Sequence, residues 1–168
     1  MTEQYGPQVE ACYQLHGDKY RGPNELFEES QSRVAAALAD DDEHRSIFKR
    51  ILLPQRFMPA GRVQSSAGSP RDVTAFNCFV SGTIEDSMES IMRMATEAAE
   101  TMRRGGGIGY DFSRIRPRGD RIASLDSASS GPLSFMDIFD AVCRTILSAG
   151  HRRGAMMGVL RVDHPDIE

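Results

Sequence analysis

The run Arg103-Arg104-Gly105-Gly106-Gly107-Ile108-Gly109-Tyr110-Asp111-Phe112-Ser113-Arg114-Ile115-Arg116-Pro117-Arg118-Gly119 limits the folds open to this chain, because it passes from a helix end straight into a strand. Adjacent glycines without Cβ atoms make left-handed backbone cheap and let another strand, or a phosphorylated ligand, approach the main chain. Upstream, Asp86-Ser87-Met88-Glu89 reads as a helix start, with Asp86 at the N-cap and Glu89 three residues on. Met88, Ile91, Met92, Ala95, Ala99 and Met102 recur at three- and four-residue steps, a stripe suited to a core or to a subunit interface. Arg103 and Arg104 close that helix at the negative end of its dipole.

The flanks extend the pattern. Residues 73–80 read as a short buried strand, and burial is the ordinary fate of a free cysteine, so Cys78 by itself reads as a packing residue. Residues 107–113 form the next strand, and 114–132 a polar loop longer than a plain connection needs. Ser134 is expected to cap a further helix, with Asp137 in its first turn, Phe135, Ile138, Phe139, Val142 and Ile146 on one face, and Gly150 at its end. After the basic turn His151-Arg152-Arg153-Gly154, residues 155–162 fit a third strand. Strands alternating with helices predict an α/β unit with parallel strands and right-handed crossovers. Ligands in such sheets sit at the carboxyl ends of the strands, here Ser81-Gly82-Thr83, residues 114–121 and the segment after Val162.

The first third is mainly helical. Residues 1–22 show no periodicity and read as an irregular arm; Asn24 is the expected N-cap of a helix to Ala39, and residues 40–43 open a second helix that Pro54 ends. Residues 57–68 are turn-rich and read as a loop. The division is therefore 1–72, a mainly helical region, and 73–168, the α/β region.

A net charge of −4 excludes broad electrostatic binding of nucleic acid, but clustered arginines leave a local anion site open. Lys19 and Lys49 are the only lysines, so arginine forks, which suit phosphate oxygens, supply nearly all the cations. The anion candidates are the Arg114, Arg116 and Arg118 strand exit and the Arg152-Arg153 turn; with the capped helix start at Asp86 and Ser87 and the glycine backbone they suggest one site for a phosphate-bearing ligand. The other reading is a capped helix end followed by a solvated basic loop. No Gly-Lys-Ser/Thr follows the glycines, and Tyr110 stands where a dinucleotide fingerprint needs its third glycine. Three widely spaced cysteines do not form a secreted disulfide framework, and no histidine–cysteine spacing suits a metal. Without a bilayer-length apolar run or a signal-peptide pattern, the expected location is the cytoplasm.

An ordered set of motifs carries a family resemblance over roughly residues 50–168. The set is Thr74-Ala75-Phe76-Asn77-Cys78-Phe79-Val80, Glu85-Asp86-Ser87-Met88, Gly105-Gly106-Gly107-Ile108-Gly109, Arg114-Ile115-Arg116-Pro117-Arg118-Gly119, Ser130-Gly131-Pro132-Leu133-Ser134-Phe135-Met136, Arg152-Arg153-Gly154-Ala155 and His164-Pro165-Asp166. It resembles the large catalytic chain of ribonucleotide reductases. Pro59-Ala60-Gly61-Arg62-Val63 with Phe76-Asn77-Cys78 is most similar to the class II, adenosylcobalamin-dependent members; class I, with a separate radical-generating subunit, is the alternative.

The resemblance implies a helical region followed by the first strands and helices of a ten-stranded α/β barrel, in an enzyme that makes deoxyribonucleotides for DNA synthesis by radical chemistry. It implies that Cys78 is one of two reducing cysteines that end as a disulfide, reset by a thioredoxin-like reductant, and that Asn77, Cys78 and Gly107 contact the ribonucleotide. By the same resemblance Val63 stands where many relatives have a phosphate-binding Thr or Ser, with Ser65, Ser66 or backbone amides as the implied substitutes. A deoxynucleoside triphosphate or ATP effector is implied at Asp86, Ser87, Met88 and Arg116, read out by His151, Arg152 and Arg153. The methionine helix and the Phe135 helix are implied to face a two-fold axis of a homodimer. No Asn-Pro-Cys-Gly-Glu-like segment and no cobalamin-contacting region occur, so the expectation is an N-terminal piece of a truncated or split enzyme, inactive alone. The rival expectation is a non-catalytic nucleotide-binding, dimerising module.

Overall fold

The computed structural model describes residues 5–146 and 154–168. They form two compact units, 1–76 and 77–168.

The first unit holds α1 (Glu10–Tyr20), α2 (Phe27–Leu38), α3 (Asp42–Leu52) and α4 (Gly61–Ser66). α1 replaces the expected irregular arm. Its single buried residue is His16, which lies against Tyr20 and Phe27 at ring distances of 5.3 and 5.0 Å, so it has no apolar stripe for a sequence reading to detect. Asn24 does not cap α2. It takes a left-handed turn at φ 60°, and the helix begins two residues beyond Glu25, where Glu29 accepts the Leu26 N–H at 2.8 Å. Asp41 caps α3 as its acidic start suggests, accepting the His44 N–H at 2.7 Å. The supposed loop 57–68 contains α4, whose Val63 packs with Phe48 and Ile51 against buried Val34, Ala35 and Leu52.

Glu25 ties this unit together. Its carboxylate accepts from Arg33 Nε at 2.7 Å and from the Gly22 N–H at 2.7 Å, while Arg33 also reaches the Gln64 carbonyl at 3.2 Å. Burial alone would raise the Glu25 carboxyl, but the hydrogen bonds from Arg33 and Gly22 and the charges of Arg33 and Arg21 outweigh it and hold it below its ordinary 4.5. A depressed carboxyl contributes stability above its unfolded value and loses it as pH falls through the folded one. Acid unfolding of the helical unit should therefore steepen below pH 4.5. Glu25→Gln should be less stable at neutral pH and should flatten that acid limb in circular dichroism; an unchanged limb would show that Glu25 does not carry it.

The second unit contains β1 (Cys78–Thr83), α5 (Met88–Arg103), β2 (Gly107–Asp111), the small hairpin β3 (Arg121–Ile122) and β4 (Ser127–Ala128), α6 (Gly131–Thr145) and β5 (Met156–Val159). β1, β2 and β5 form one parallel sheet in that order, with Cys78 opposite Gly107 and Gly109 opposite Met157. The expected parallel α/β pattern is thus present. β1 begins later than expected and is exposed rather than buried, with Val80 94% exposed; it forms an edge of the sheet, and Ser81 touches core Met94 through its hydroxyl at 3.4 Å.

Helix boundaries correct three further expectations. Ser87, not Asp86, caps α5, accepting the Ser90 N–H at 3.2 Å. α5 buries Ile91, Met94, Ala95, Ala98 and Met102, so the methionine stripe divides: Met88 and Met92 lie on the exposed side. α6 starts at Gly131 with Pro132 in its first turn, and the Ser134 hydroxyl donates back to the Ser130 carbonyl at 3.0 Å instead of capping. α6 ends at Thr145; Gly150 lies outside the described residues.

The glycine run stops α5. Gly105, at φ +87°, donates to the Met102 carbonyl at 2.9 Å and Gly106 donates to the Thr101 carbonyl at 3.0 Å, the double bond of a Schellman end. A Cβ on Gly106 would lie 2.7 Å from the Phe79 ring. Beyond it, Ile108, Tyr110 and Phe112 alternate onto one face of β2, where α5 and α6 cover them with Ile91, Met94, Ala98, Met102 and Phe139. Burial and the neighbouring Cys143 push the Tyr110 phenol above its ordinary value, so it stays neutral within this core. Among the described residues no helix is long and apolar enough to cross a membrane.

Candidate functional site

The residues singled out in the sequence gather at opposite ends of the three-stranded sheet. At the amino end, the Asn77 carbonyl accepts the Gly107 N–H at 2.8 Å and Cys78 begins β1 beside it. The Cys78 thiol is free and exposed, which reverses the packing reading for this residue. A Cβ on Gly107 would meet the Ala155 carbonyl at 3.4 Å, an ordinary contact, so neighbouring strands do not by themselves require a glycine there.

The carboxyl end is charged. Arg116 donates through Nε to Asp86 Oδ2 at 2.5 Å, through its backbone N–H to Asp86 Oδ1 at 3.3 Å, and through Nη1 to the Arg121 carbonyl at 3.2 Å. Arg114 pairs with Glu85 at 2.6 Å. The segment between β1 and α5 is therefore joined to the loop after β2 by two ion pairs. Asp86 is drawn off the cap position by this contact, which leaves the cap to Ser87. Met88 opens α5 with its side chain 60% exposed. Beside them, hydrogen bonds from the Ser113 hydroxyl and N–H hold the Asp111 carboxyl below its ordinary value.

The structure thus brings Asp86, Ser87, Met88 and Arg116 to one end and Asn77, Cys78 and Gly107 to the other. Among the described residues the glycines do not join the arginines in one anion site, because Gly105 and Gly106 stop a helix at the end of β2 opposite Arg114 and Arg116. His151, Arg152 and Arg153 lie outside the described residues. No cluster of three His, Cys, Asp or Glu side chains suited to a metal occurs among the described residues. Glu85 and Arg161 lie in no periodic stripe, and only the fold places them beside β2. Arg161 donates its N–H to Ser113 Oγ at 2.9 Å.

A parallel sheet with both helices on one face and charged loops at its carboxyl ends is the arrangement of an α/β barrel wall, whereas a doubly wound sheet is covered on both faces. Residues 76–168, more than half of the chain, match the family described as ribonucleotide reductase, barrel domain, and the chain belongs to that family. It is 40% identical over 164 residues to the vitamin B12-dependent ribonucleoside-diphosphate reductase of Mycobacterium tuberculosis, covering 92% of this chain and 23% of that one. The protein of the same name from Thermoplasma acidophilum is 35% identical over 84% of this chain and 18% of its own length. Among solved structures, the Actinobacillus ureae class Id ribonucleotide reductase alpha subunit superposes with a TM-score of 0.80 at 25% identity, over 95% of this chain and 29% of that one. The chain thus spans about a quarter or less of the curated relatives' length.

Proposed function

We propose that the chain is the N-terminal part of a class II ribonucleotide reductase, with a substrate edge at the amino end of its sheet and an effector site at the carboxyl end. The observation that carries this reading is the separation itself: a free thiol beside strand-edge backbone at one end, and a carboxylate–arginine pair at the other. In the overall reaction the ribose C2′–O bond breaks, the hydroxyl leaves as water and hydrogen takes its place. Two thiols lose two electrons and two protons and close as a disulfide. Cys78 is proposed as one of them, with Asn77 and Gly107 contacting the ribonucleotide. The second thiol and the radical thiol are proposed to come from outside this chain, and a thioredoxin-like dithiol to reset the disulfide.

At the other end a deoxynucleoside triphosphate or ATP is proposed to exchange the Asp86–Arg116 pair for its own contacts, ribose hydroxyl to carboxylate and phosphate to guanidinium. Met88 and the His151, Arg152 and Arg153 turn complete this effector site. The exposed Met88 and Met92 of α5 and Leu133 of α6 suit a homodimer face. The proposed setting is the cytoplasm, with deoxyribonucleotide supply as the role.

Adenosylcobalamin is the proposed radical source, following the vitamin B12 dependence in the relatives' names. The charged, ion-paired carboxyl end and the thiol-and-glycine amino end do not fit a corrin cradle, so no residue of this chain is assigned to hold it. Arg116→Ala should weaken deoxynucleoside triphosphate binding roughly 10- to 100-fold, the size of a lost hydrogen bond to a charged group. Equilibrium binding to the intact protein measures this, and an unchanged affinity would remove Arg116 from the site. Turnover of the intact protein that requires added adenosylcobalamin supports class II; turnover that instead requires a separate subunit would place it in class I.

A further inference from the structure

Three stretches far apart in the sequence meet beside the arginine loop. His164 is 7% exposed, and its ring bridges two backbones. The Asp166 N–H donates to Nδ1 at 3.1 Å, which leaves the proton on Nε2, and Nε2 donates to the Ile115 carbonyl at 2.9 Å. Asp166 then turns its carboxylate the other way, and Oδ2 accepts the Arg118 N–H at 2.8 Å. Gly131, the first residue of α6, stands against this last bond at φ +78°, where a Cβ would lie 2.6 Å from Asp166 Oδ2 and 2.8 Å from the Arg118 nitrogen. The loop around Arg118, the Ser130-Gly131-Pro132 helix start and His164-Pro165-Asp166 thus close on one hydrogen bond.

Arg116 lies between the two anchored positions, next to the stiff Pro117. Ile115 is fixed from below by burial in the core and Arg118 by the carboxylate, so the backbone that aims the Arg116 fork at Asp86 has little freedom left. The Arg118 side chain is exposed, and its backbone N–H makes the contact to Asp166. We infer that His164 and Asp166 are positioning residues for the nucleotide end: they hold the Arg116–Arg118 loop in its anion-binding shape through a contact that requires glycine at position 131. The inference rests on the effector reading of Asp86 and Arg116. Neither residue touches the nucleotide; each acts through the loop backbone, where a preformed site spares the nucleotide the ordering of that loop.

Deoxynucleoside triphosphate affinity, thermal stability and amide exchange of the intact protein test this. His164→Ala and Asp166→Ala should each weaken binding about tenfold, the scale of one hydrogen bond involving a charged or buried partner. His164→Gln, whose amide can still donate to the Ile115 carbonyl, should recover most of the affinity, although its packing differs from that of the ring. The Arg118 amide of the unmutated protein should exchange slowly, and nucleotide should slow it further. Affinity unchanged in His164→Ala and Asp166→Ala, while Arg116→Ala still loses it, would overturn the positioning role and keep the effector site. Affinity unchanged in Arg116→Ala as well would overturn the effector reading instead. If the alanine variants do not fold, an Arg118 amide that exchanges in the unmutated protein as fast as a free loop amide overturns the inference without them.

Discussion

Cys78→Ser is expected to abolish multiple-turnover reduction by the intact protein, with a loss on the order of a thousandfold or more, as when a covalent participant is removed. Serine matches the thiol in size but cannot surrender electrons to form a disulfide, so the loss falls on chemistry and not on the fold. Cys78 begins an exposed edge strand and carries no disulfide, so stability should stay within about 0.5 kcal/mol of the unmutated protein. Deoxynucleoside triphosphate binding at the proposed effector site should also be unchanged. The other cysteines are internal controls. Cys12 is exposed on α1, and burial together with the Asp140 charge pushes the Cys143 thiol up, which disfavours its thiolate. Serine at position 12 should leave turnover intact. Turnover assays with a small dithiol as reductant decide the matter, and full activity in Cys78→Ser would remove this residue from the redox pair.

The parallel direction of the strands was legible because strongly patterned helices alternate with the β-stretches, and such crossovers favour parallel pairing; the order β1-β2-β5 and the register came only with the fold. Boundaries were less legible, for identifiable reasons. Asp86 has the chemistry of an N-cap, but its carboxylate forms an ion pair with Arg116, thirty positions on; only tertiary contact decides between cap and ion pair. Asn24 likewise has a capping side chain and is used for a left-handed turn. α1 was invisible because its burial rests on His16 and not on an apolar stripe. Cys78 was misread by composition, since a cysteine in an apolar stretch usually points inward. Its exposure follows from the position of β1 at the sheet edge, which no local pattern reports. At the carboxyl end, the arginines at the strand exit were visible in the sequence, but the contacts of His164, Asp166 and Gly131 span 13 to 49 positions and no local pattern reports them.

Phe139→Ala should cost about 3–5 kcal/mol, the usual scale for deleting a buried aromatic side chain. Phe139 is 1% exposed and its ring meets Tyr110 at 4.7 Å and Phe112 at 5.1 Å, so it joins α6 to the central strand. A loss of that size is a large share of the margin of an ordinary domain, and chemical denaturation should show it as a lower midpoint with an unchanged slope. Met92→Ala, on the exposed side of α5, should be nearly neutral for the fold and should instead weaken the proposed dimer in sedimentation. The damage at Phe139 should also reach the proposed nucleotide end, because the same α6 carries Gly131 against the Arg118–Asp166 bond. A ligand that binds only the folded state adds about 2.7 kcal/mol at a concentration one hundred times its Kd. Saturating deoxynucleoside triphosphate should therefore restore much of the lost midpoint in Phe139→Ala, and little of it once Arg116→Ala is added. Equal rescue in both would mean that the nucleotide binds away from the arginine loop, and that the core and the effector site are stabilised independently.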